Sequence, residues 1–394
     1  MAPATPGTVS LPPILGHEAT RDDLSGAYRA GRLPASLLIH GRRGVGKQRL
    51  ALWISQMLVC EASDRAPCAA CPSCRMAGSI EHPDVHWYFP LERPKGVSGE
   101  RLADALEEAR LEEIAEVRAH PVRASHSGAV KGLYLGSIQG LRARATRRPV
   151  MAPGPVFVIG DADLLVPQES SPEAANALLK LLEEPPGATR FILTTSEPGR
   201  ILPTIRSRTV PLHLAPLPSG IIESFLIEHA GVDDETATWA ARLGQGSPGR
   251  ALGFLPSEGA LGSLEELRRR AFEIVASALA GNGAKGHALA LSFSSGGARG
   301  LMDLFAFLEE WLRDLAAVAS GVPERVLNHD AVDGLRRRAQ DFELNAYDVA
   351  RSFQAVDRAR HLARANVNPQ LVIGSLVREL RKTLRNTSTA GAGA

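Results

Sequence analysis

The chain has 394 residues, too many for one ordinary hydrophobic core, so two or three domains are expected. Its 44% hydrophobic and 22% charged content is ordinary for a soluble globular protein, and a net charge of +2 gives no global case for nucleic acid. No apolar run approaches the ~20 residues that cross a bilayer, and MAPATPGTVSLPP lacks the basic start and apolar centre of a secretory leader. The expectation is a cytoplasmic chain with no membrane partner.

PASLLIH, residues 34–40, reads as a short buried strand, and GRRGVGKQ follows at once. Lys47 to Val59 then carries Leu50, Ala51, Ile54, Met57 and Leu58 at helical spacing. Strand, glycine loop and helix is the context of a phosphate-binding loop. HPDVHWYF (82–89) reads as a second strand. Residues of about 91–135 hold a charged helix with a weak apolar stripe and scattered glycines, read as a surface insertion. Ile138, Leu141 and Arg142, Arg144, Arg147 and Arg148 form a short basic helix. These arginines suit DNA phosphate, but a solvated helix face is the plainer reading.

PVFVIG (155–160) is the most apolar segment and reads as a central strand buried on both faces. A helix through NALLKLLEE stops at Pro185-Pro186, and TRFILTTS (189–196) gives another strand. Alternating strands and helices predict an α/β domain with a mostly parallel sheet. That pattern ends near Leu214, and everything beyond reads helical. Ser263-Leu264-Glu265-Glu266 has the form of a capping box. Leu301, Leu304, Phe305, Leu308, Trp311, Leu312 and Leu315 make one apolar stripe. A last helix pair covers roughly 345–365 and 369–385, and NTSTAGAGA reads as a disordered tail.

Cys60, Cys68, Cys71 and Cys74 are the chain's four cysteines. A cytosolic chain keeps thiols reduced, and overlapping Cys-x-x-Cys turns let ligands share one metal. Four thiolates close the coordination shell, so the expected ion is structural zinc; four free cysteines are the alternative.

In GxxxxGK[ST], backbone N–H groups wrap phosphate, the lysine neutralises charge and the hydroxyl holds magnesium. Gly41, Gly44, Gly46 and Lys47 keep the first two elements, whereas Gln48 removes the third. The strand that should end in a magnesium-holding carboxylate runs into Gly160, with Asp161 one place later. Two metal contacts are thus weakened. The loop can still hold ATP or ADP without hydrolysis, and magnesium loses its usual ligands. A plain strand-to-helix turn is the alternative.

These residues resemble the AAA+ subunits of the bacterial DNA polymerase III clamp loader, most nearly the delta prime type. The likeness begins at Ile14-Leu15-Gly16-His17, similar to the adenine-side motif, and continues through the glycine loop and cysteine cluster. NALLKLLEEPP (176–186) is close to a family signature. TIRSRT (204–209) resembles the family's SRC motif with Thr209 for cysteine, and Asn366 to Leu371 resembles the collar's Asn-x-Asn-x-x-Leu.

The resemblance implies an AAA+ P-loop domain over 1–212 with a zinc module near 60–80, a helical lid over 213–275, and an all-α collar over 276–386. The disordered tail is 387–394. It also implies that Thr195 is the polar sensor, and that Arg208 is an arginine finger reaching a neighbouring subunit's ATP site. The family's lid arginine falls on Gly249, with Arg250 one later. Gln48, Gly160 and Gly249 erode three ATPase contacts while Arg208 stays. The implied role is a non-hydrolysing subunit, partnered by gamma/tau-like motor and delta subunits, that helps place a sliding clamp on primed DNA. An active gamma/tau-type ATPase is one alternative. A zinc-dependent nucleic-acid binding protein with a relic phosphate loop is another.

Overall fold

The computed structural model describes residues 11–12, 14–98, 101–122, 131–165, 173–256, 259–281, 283–293 and 301–385. The expected disordered tail at 387–394 lies outside them. Two compact units divide the described chain after Leu252.

The first unit is built on one parallel sheet of five strands. β1 (Ser36–His40), β2 (Val85–Tyr88), β5 (Val156–Ile159), β6 (Arg190–Thr195) and β7 (Val210–His213) stand in the order β2-β5-β6-β1-β7. Between β2 and β5, the short β3 (Leu91–Glu92) and β4 (Lys131–Gly132) pair antiparallel. β6 thus separates the strand before the glycine loop from β5. The apolar runs explain the central strands: every residue of β5 is buried, and Phe157 stacks on Phe191 of β6 with centroids 5.5 Å apart. Alternation assigns the faces, with Leu37 and Ile39 in one core cluster and Leu38 in the other.

The first unit's helices are α1 (Glu18–Arg29), α2 (Lys47–Leu58), α3 (Pro72–Gly78), α4 (Arg101–Ala119), α5 (Leu135–Ala145), α6 (Glu173–Glu183), α7 (Pro203–Arg206), α8 (Ser219–Ala230), α9 (Asp234–Gly244) and α10 (Pro248–Leu252). Leu50, Ile54 and Met57 of α2 fill one face of the sheet. Ile138 and Leu141 of α5, with Leu178 and Leu182 of α6, fill the other.

The stretch 91–135 departs from a surface insertion. Leu106 and Ile114 of α4 belong to the core, and Leu133 is buried. The helix reads as charged because one of its buried positions is Arg110. Its guanidinium grips Glu107 at 2.9 and 2.6 Å, donates to the Trp87 carbonyl at 3.0 Å, and lies over the Tyr88 ring. A buried arginine paired with a carboxylate is invisible to a count of apolar residues.

The second unit is helical: α11 (Ser263–Ala280), α12 (Gly283–Leu291), α13 (Leu301–Ala319), α14 (Val332–Asp341), α15 (Ala346–Arg364) and α16 (Pro369–Arg385). The apolar stripe of α13 is buried from Leu301 to Leu315, against α11 and α15. The boundary expected at 275/276 falls within α11. The capping box at Ser263 is not formed, because Gly262 is the N-cap and no side chain caps the helix. Glu265 instead turns to Arg268 and Arg269, at 2.7 and 2.6 Å. No described helix is long and apolar enough to cross a membrane.

Candidate functional site

β1 and α2 deliver the glycine loop to the carboxyl edge of the sheet, where open α/β folds place ligands. Lys47 is buried, and its ammonium gives two donors to the loop and one to the residue after β6. Nζ donates to the carbonyls of Gly41 (3.0 Å) and Arg42 (2.8 Å) and to Ser196 Oγ (2.9 Å). Burial lowers its pKa to about 8, against the opposing pull of Asp161 and Asp163. His17 touches the loop as well, with Nε2 3.3 Å from the Val45 carbonyl.

Gln48 does not point at open solvent. Its Oε1 accepts from Trp87 Nε1 at 3.1 Å, and its Nε2 donates to Asp161 Oδ2 at 3.2 Å. The amide lies on Gly160: a Cβ at that position would stand 2.8–2.9 Å from Nε2, Cδ and Oε1 of Gln48. Gln48 and Gly160 are therefore complementary in shape, the amide filling the space that a side chain at 160 would need. Asp161 has a left-handed backbone (φ 45°), and its N–H donates to Thr194 Oγ1 at 3.1 Å. Burial pushes its carboxyl above the usual range, against the attraction of Lys47. Thr195 is also committed, donating to Asp163 Oδ1 at 2.6 Å and accepting from the Glu197 N–H at 2.9 Å.

Gly249, at the start of α10, lies against the same loop. Its N–H donates to the Gly44 carbonyl at 2.9 Å, and a Cβ on Gly249 would meet Gly44 Cα at 3.1 Å. From the other side, a Cβ on Gly44 would stand 2.7 Å from the Arg250 nitrogen, and Gly44 has φ +78°. Backbone contact this close requires glycine at 44 and leaves little room for a side chain at 249. Arg250 turns elsewhere, with Nε donating to the Leu243 carbonyl at 2.9 Å.

The phosphate loop thus keeps a glycine-rich backbone and a buried cation, which suit a polyphosphate. The residue in the magnesium-ligand position is an amide already hydrogen-bonded at both ends. The residues present do not fit the usual loop-bound magnesium.

Cys60 follows α2, while Cys68 and Cys71 lead into α3, which contains Cys74. The four Sγ atoms lie within 4.8 Å of one another, and Cys68 Sγ is 3.9 Å from Cys74 Sγ. A tetrahedral Zn–S₄ centre with bonds of about 2.3 Å sets its sulfurs roughly 3.8 Å apart. Backbone N–H groups of Cys68, Cys71 and Cys74 donate to the sulfurs of Cys60, Cys68 and Cys71 at 3.3–3.4 Å. Such donors favour thiolates, and the N–H groups of Ala70 and Cys71 lower the Cys68 thiol to about 6. Burial pushes Cys74 the other way. The set fits one zinc ion, which would tie α3 to the end of α2.

Arg208 follows α7 at the surface. Its Nη2 pairs with Glu183 at 2.6 Å, and Nη1 donates to the Thr204 carbonyl at 3.0 Å and Ser207 Oγ at 3.2 Å. Both partners of the ion pair are substantially exposed, 35% for the arginine and 46% for the glutamate. Arg142 and Arg148 are exposed, whereas Arg144 pairs with Glu107 at 2.6 Å.

A family model described as DNA polymerase III, delta subunit, matches residues 16–218, just over half of the chain. The chain belongs to this clamp-loader family. The delta prime subunit of Escherichia coli K12 is 31% identical over 240 residues, covering 60% of this chain and 59% of that one. The Bacillus subtilis delta prime subunit is 30% identical over 215 residues, covering 55% and 50%. The gamma/tau subunit of Mycobacterium tuberculosis H37Rv is 30% identical over 257 residues, covering 62% of this chain and 36% of that one. The chain therefore spans about a third to three-fifths of the length of these relatives. A solved gamma-subunit-related protein of Thermotoga maritima is 16% identical over 91% of this chain and 99% of that one, with a TM-score of 0.36, a likeness too weak to add to the sequence match.

Within this family member, the structure brings Gly41, Gly44, Gly46, Lys47 and Gln48 together with Asp161 and Trp87, and the four cysteines with one another. Trp87 and Ser196 escaped the sequence reading. The signals were a tryptophan near the end of a strand beside the central one, and a serine directly after Thr195 at the end of another strand.

Proposed function

We propose that the chain is a delta prime-like clamp-loader subunit that does not hydrolyse ATP itself and supplies Arg208 to a neighbouring subunit's site. The observation that carries this reading is the seating of Gln48 on Gly160, tied to Trp87 and Asp161. Restoring a metal-binding carboxylate at 160 requires the amide to leave, so the two departures support one another. The Gly44–Gly249 contact adds a third, since a lid residue packed on the loop by its backbone has no side chain to read a nucleotide. Its partners would be gamma/tau-type motor and delta subunits, with the sliding clamp and primed DNA reached through the complex. Zinc would hold the Cys60–Cys74 module.

The exposed pairing of Arg208 supports the finger role. A surface ion pair is worth about 0–1 kcal/mol, so exchanging Glu183 for a phosphate costs little. A planar guanidinium suits the charge that builds on equatorial oxygens during phosphoryl transfer. In a reconstituted loader, Arg208→Ala should leave assembly intact and slow turnover at the adjoining site by roughly 10³ or more. Unchanged turnover refutes the finger. The gamma/tau relative is nearly as similar as the delta prime ones, which makes a motor subunit the second reading. ATP hydrolysis by the isolated chain, abolished by Lys47→Ala, would establish it.

A further inference from the structure

A cavity of about 170 Å³ lies between α4 and α5 at the carboxyl end of β2. Tyr88, the last residue of that strand, lines it and is 1% exposed, yet its hydroxyl has no hydrogen-bond partner. Arg144 lies near this hydroxyl without meeting hydrogen-bond geometry. Buried hydroxyls are nearly always paired, so an orphan aimed into a cavity points to an occupant. Burial raises the pKa of Tyr88, leaving it a neutral donor.

The walls are cationic. Arg110, Arg144 and Arg147 face Glu107 and Asp104, which leaves three positive charges against two negative, a net of one positive. Arg110 commits three of its five N–H donors to Glu107 and the Trp87 carbonyl. Arg144 gives Nη2 to Glu107, and Arg147 has no carboxylate partner among the described residues. The neighbouring His86 is held at about 4 by burial and then by the charges of Arg144 and Arg110. Gly136 and Ser137, in the uncapped first turn of α5, also border the space. A helix start offers free N–H groups and a positive dipole end to an anion. Gly140 keeps the space beside the hydroxyl open, since a Cβ there would come within 3.9 Å of it.

We propose that this cavity binds a small phosphate-type oxyanion, held by Arg144, Arg147 and the Tyr88 hydroxyl. The donor at its base is buried, which suits a compact anion and leaves a duplex backbone phosphate unable to reach it. Free phosphate and the phosphate of a small metabolite share this chemistry.

The test uses the full chain carrying Lys47→Ala, which takes the phosphate loop out of the measurement. Inorganic phosphate is titrated by calorimetry and by thermal shift at constant ionic strength, with chloride as control. Saturable binding is expected, with a rise in Tm that chloride does not give. Tyr88→Phe should weaken phosphate binding about 5- to 10-fold, the worth of one neutral hydrogen bond. It should leave the phosphate-free chain at least as stable, because it deletes an orphan hydroxyl. A merely structural tyrosine would not show that pair of effects. Arg147→Gln, on the surface, should weaken binding at least 10-fold, which keeps the proposal testable whatever Tyr88→Phe does to folding. Glycerol 2-phosphate separates the sources: binding tighter than phosphate indicates a metabolite, and weaker binding indicates the free ion. The proposal fails if phosphate acts only as chloride does, or if Tyr88→Phe binds as the parent does. It also fails if the arginines bind duplex DNA without any saturable phosphate site.

Discussion

The complementarity of Gln48 and Gly160 makes a quantitative prediction. In Gly160→Ala the new Cβ would stand 2.8–2.9 Å from the Gln48 amide, inside normal contact, so the amide must move. Moving it breaks the hydrogen bonds to Trp87 Nε1 and Asp161 Oδ2. At about 1 kcal/mol for each net hydrogen bond, the substitution costs about 2 kcal/mol, and more if the indole N–H is left unpaired. Gln48→Ser removes the same two bonds from the other side and should cost a similar amount. The double variant loses those bonds only once and relieves the clash. Its cost should match either single variant, giving a coupling of about 2 kcal/mol between sites in contact. Urea unfolding of all four proteins, followed by far-ultraviolet circular dichroism on the transition of the first unit, completes the cycle. Additivity within about 0.5 kcal/mol would refute the argument, because independent sites add to that tolerance.

Three further outcomes follow from the same structure. The purified chain should carry one zinc per molecule, and Cys71→Ser should release it and lower the thermal stability of the first unit; equal metal content in both proteins sinks the assignment. Lys47 has a folded pKa of about 8, below the ~10.4 of an unfolded lysine. Between those values the unfolded chain holds the extra proton, so stability from this group rises with pH, and the parent should gain up to about 3 kcal/mol on Lys47→Met from pH 8 to 10.4. A difference flat with pH counts against the buried ammonium. Asp84 is buried and accepts N–H bonds from Val150, Met151 and Ala152 at 2.7, 2.7 and 2.8 Å. Burial raises its carboxyl, but those donors outweigh it and the net pKa is low. Asp84→Asn should therefore cost about 2–3 kcal/mol at neutral pH, by denaturant unfolding, and the gap should close as pH falls below about 4. A gap unchanged at low pH argues against the ionised acceptor.

Much of the frame was legible because it rests on local pattern. The runs in β1, β5 and β6 are apolar on both faces, and α13 repeats its apolar residues at intervals of three and four, so burial follows from the letters. The cysteines announced their cluster by spacing. The core role of α4 was hidden, since Arg110 enters the interior already paired with Glu107 and capped by Tyr88, and hydropathy scores it as surface. The start of α11 misled for a related reason. Ser263 and Glu266 match a capping pattern, but Gly262 takes the cap and Glu265 is drawn to the two arginines that follow.

The site shows a sharper limit. Gln48, Gly160 and Gly249 each read as the loss of a ligand when taken against a working ATPase motif. In space they are the contacts of a different packing. Gly160 is small where the Gln48 amide lies, and Gly249 is small where α10 touches Gly44. A sequence motif records which residue is missing from a position, whereas only the neighbours reveal what replaced it. Drift that merely removed ligands would leave cavities and unpaired donors, and such defects cost about 1–3 kcal/mol each. Here the Trp87 indole, the Asp161 carboxylate and the Lys47 ammonium all have partners. A loop satisfied in this way pairs its own polar groups, and placing a hydroxyl at 48 and a carboxylate at 160 would require the amide and the glycine beneath it to change together.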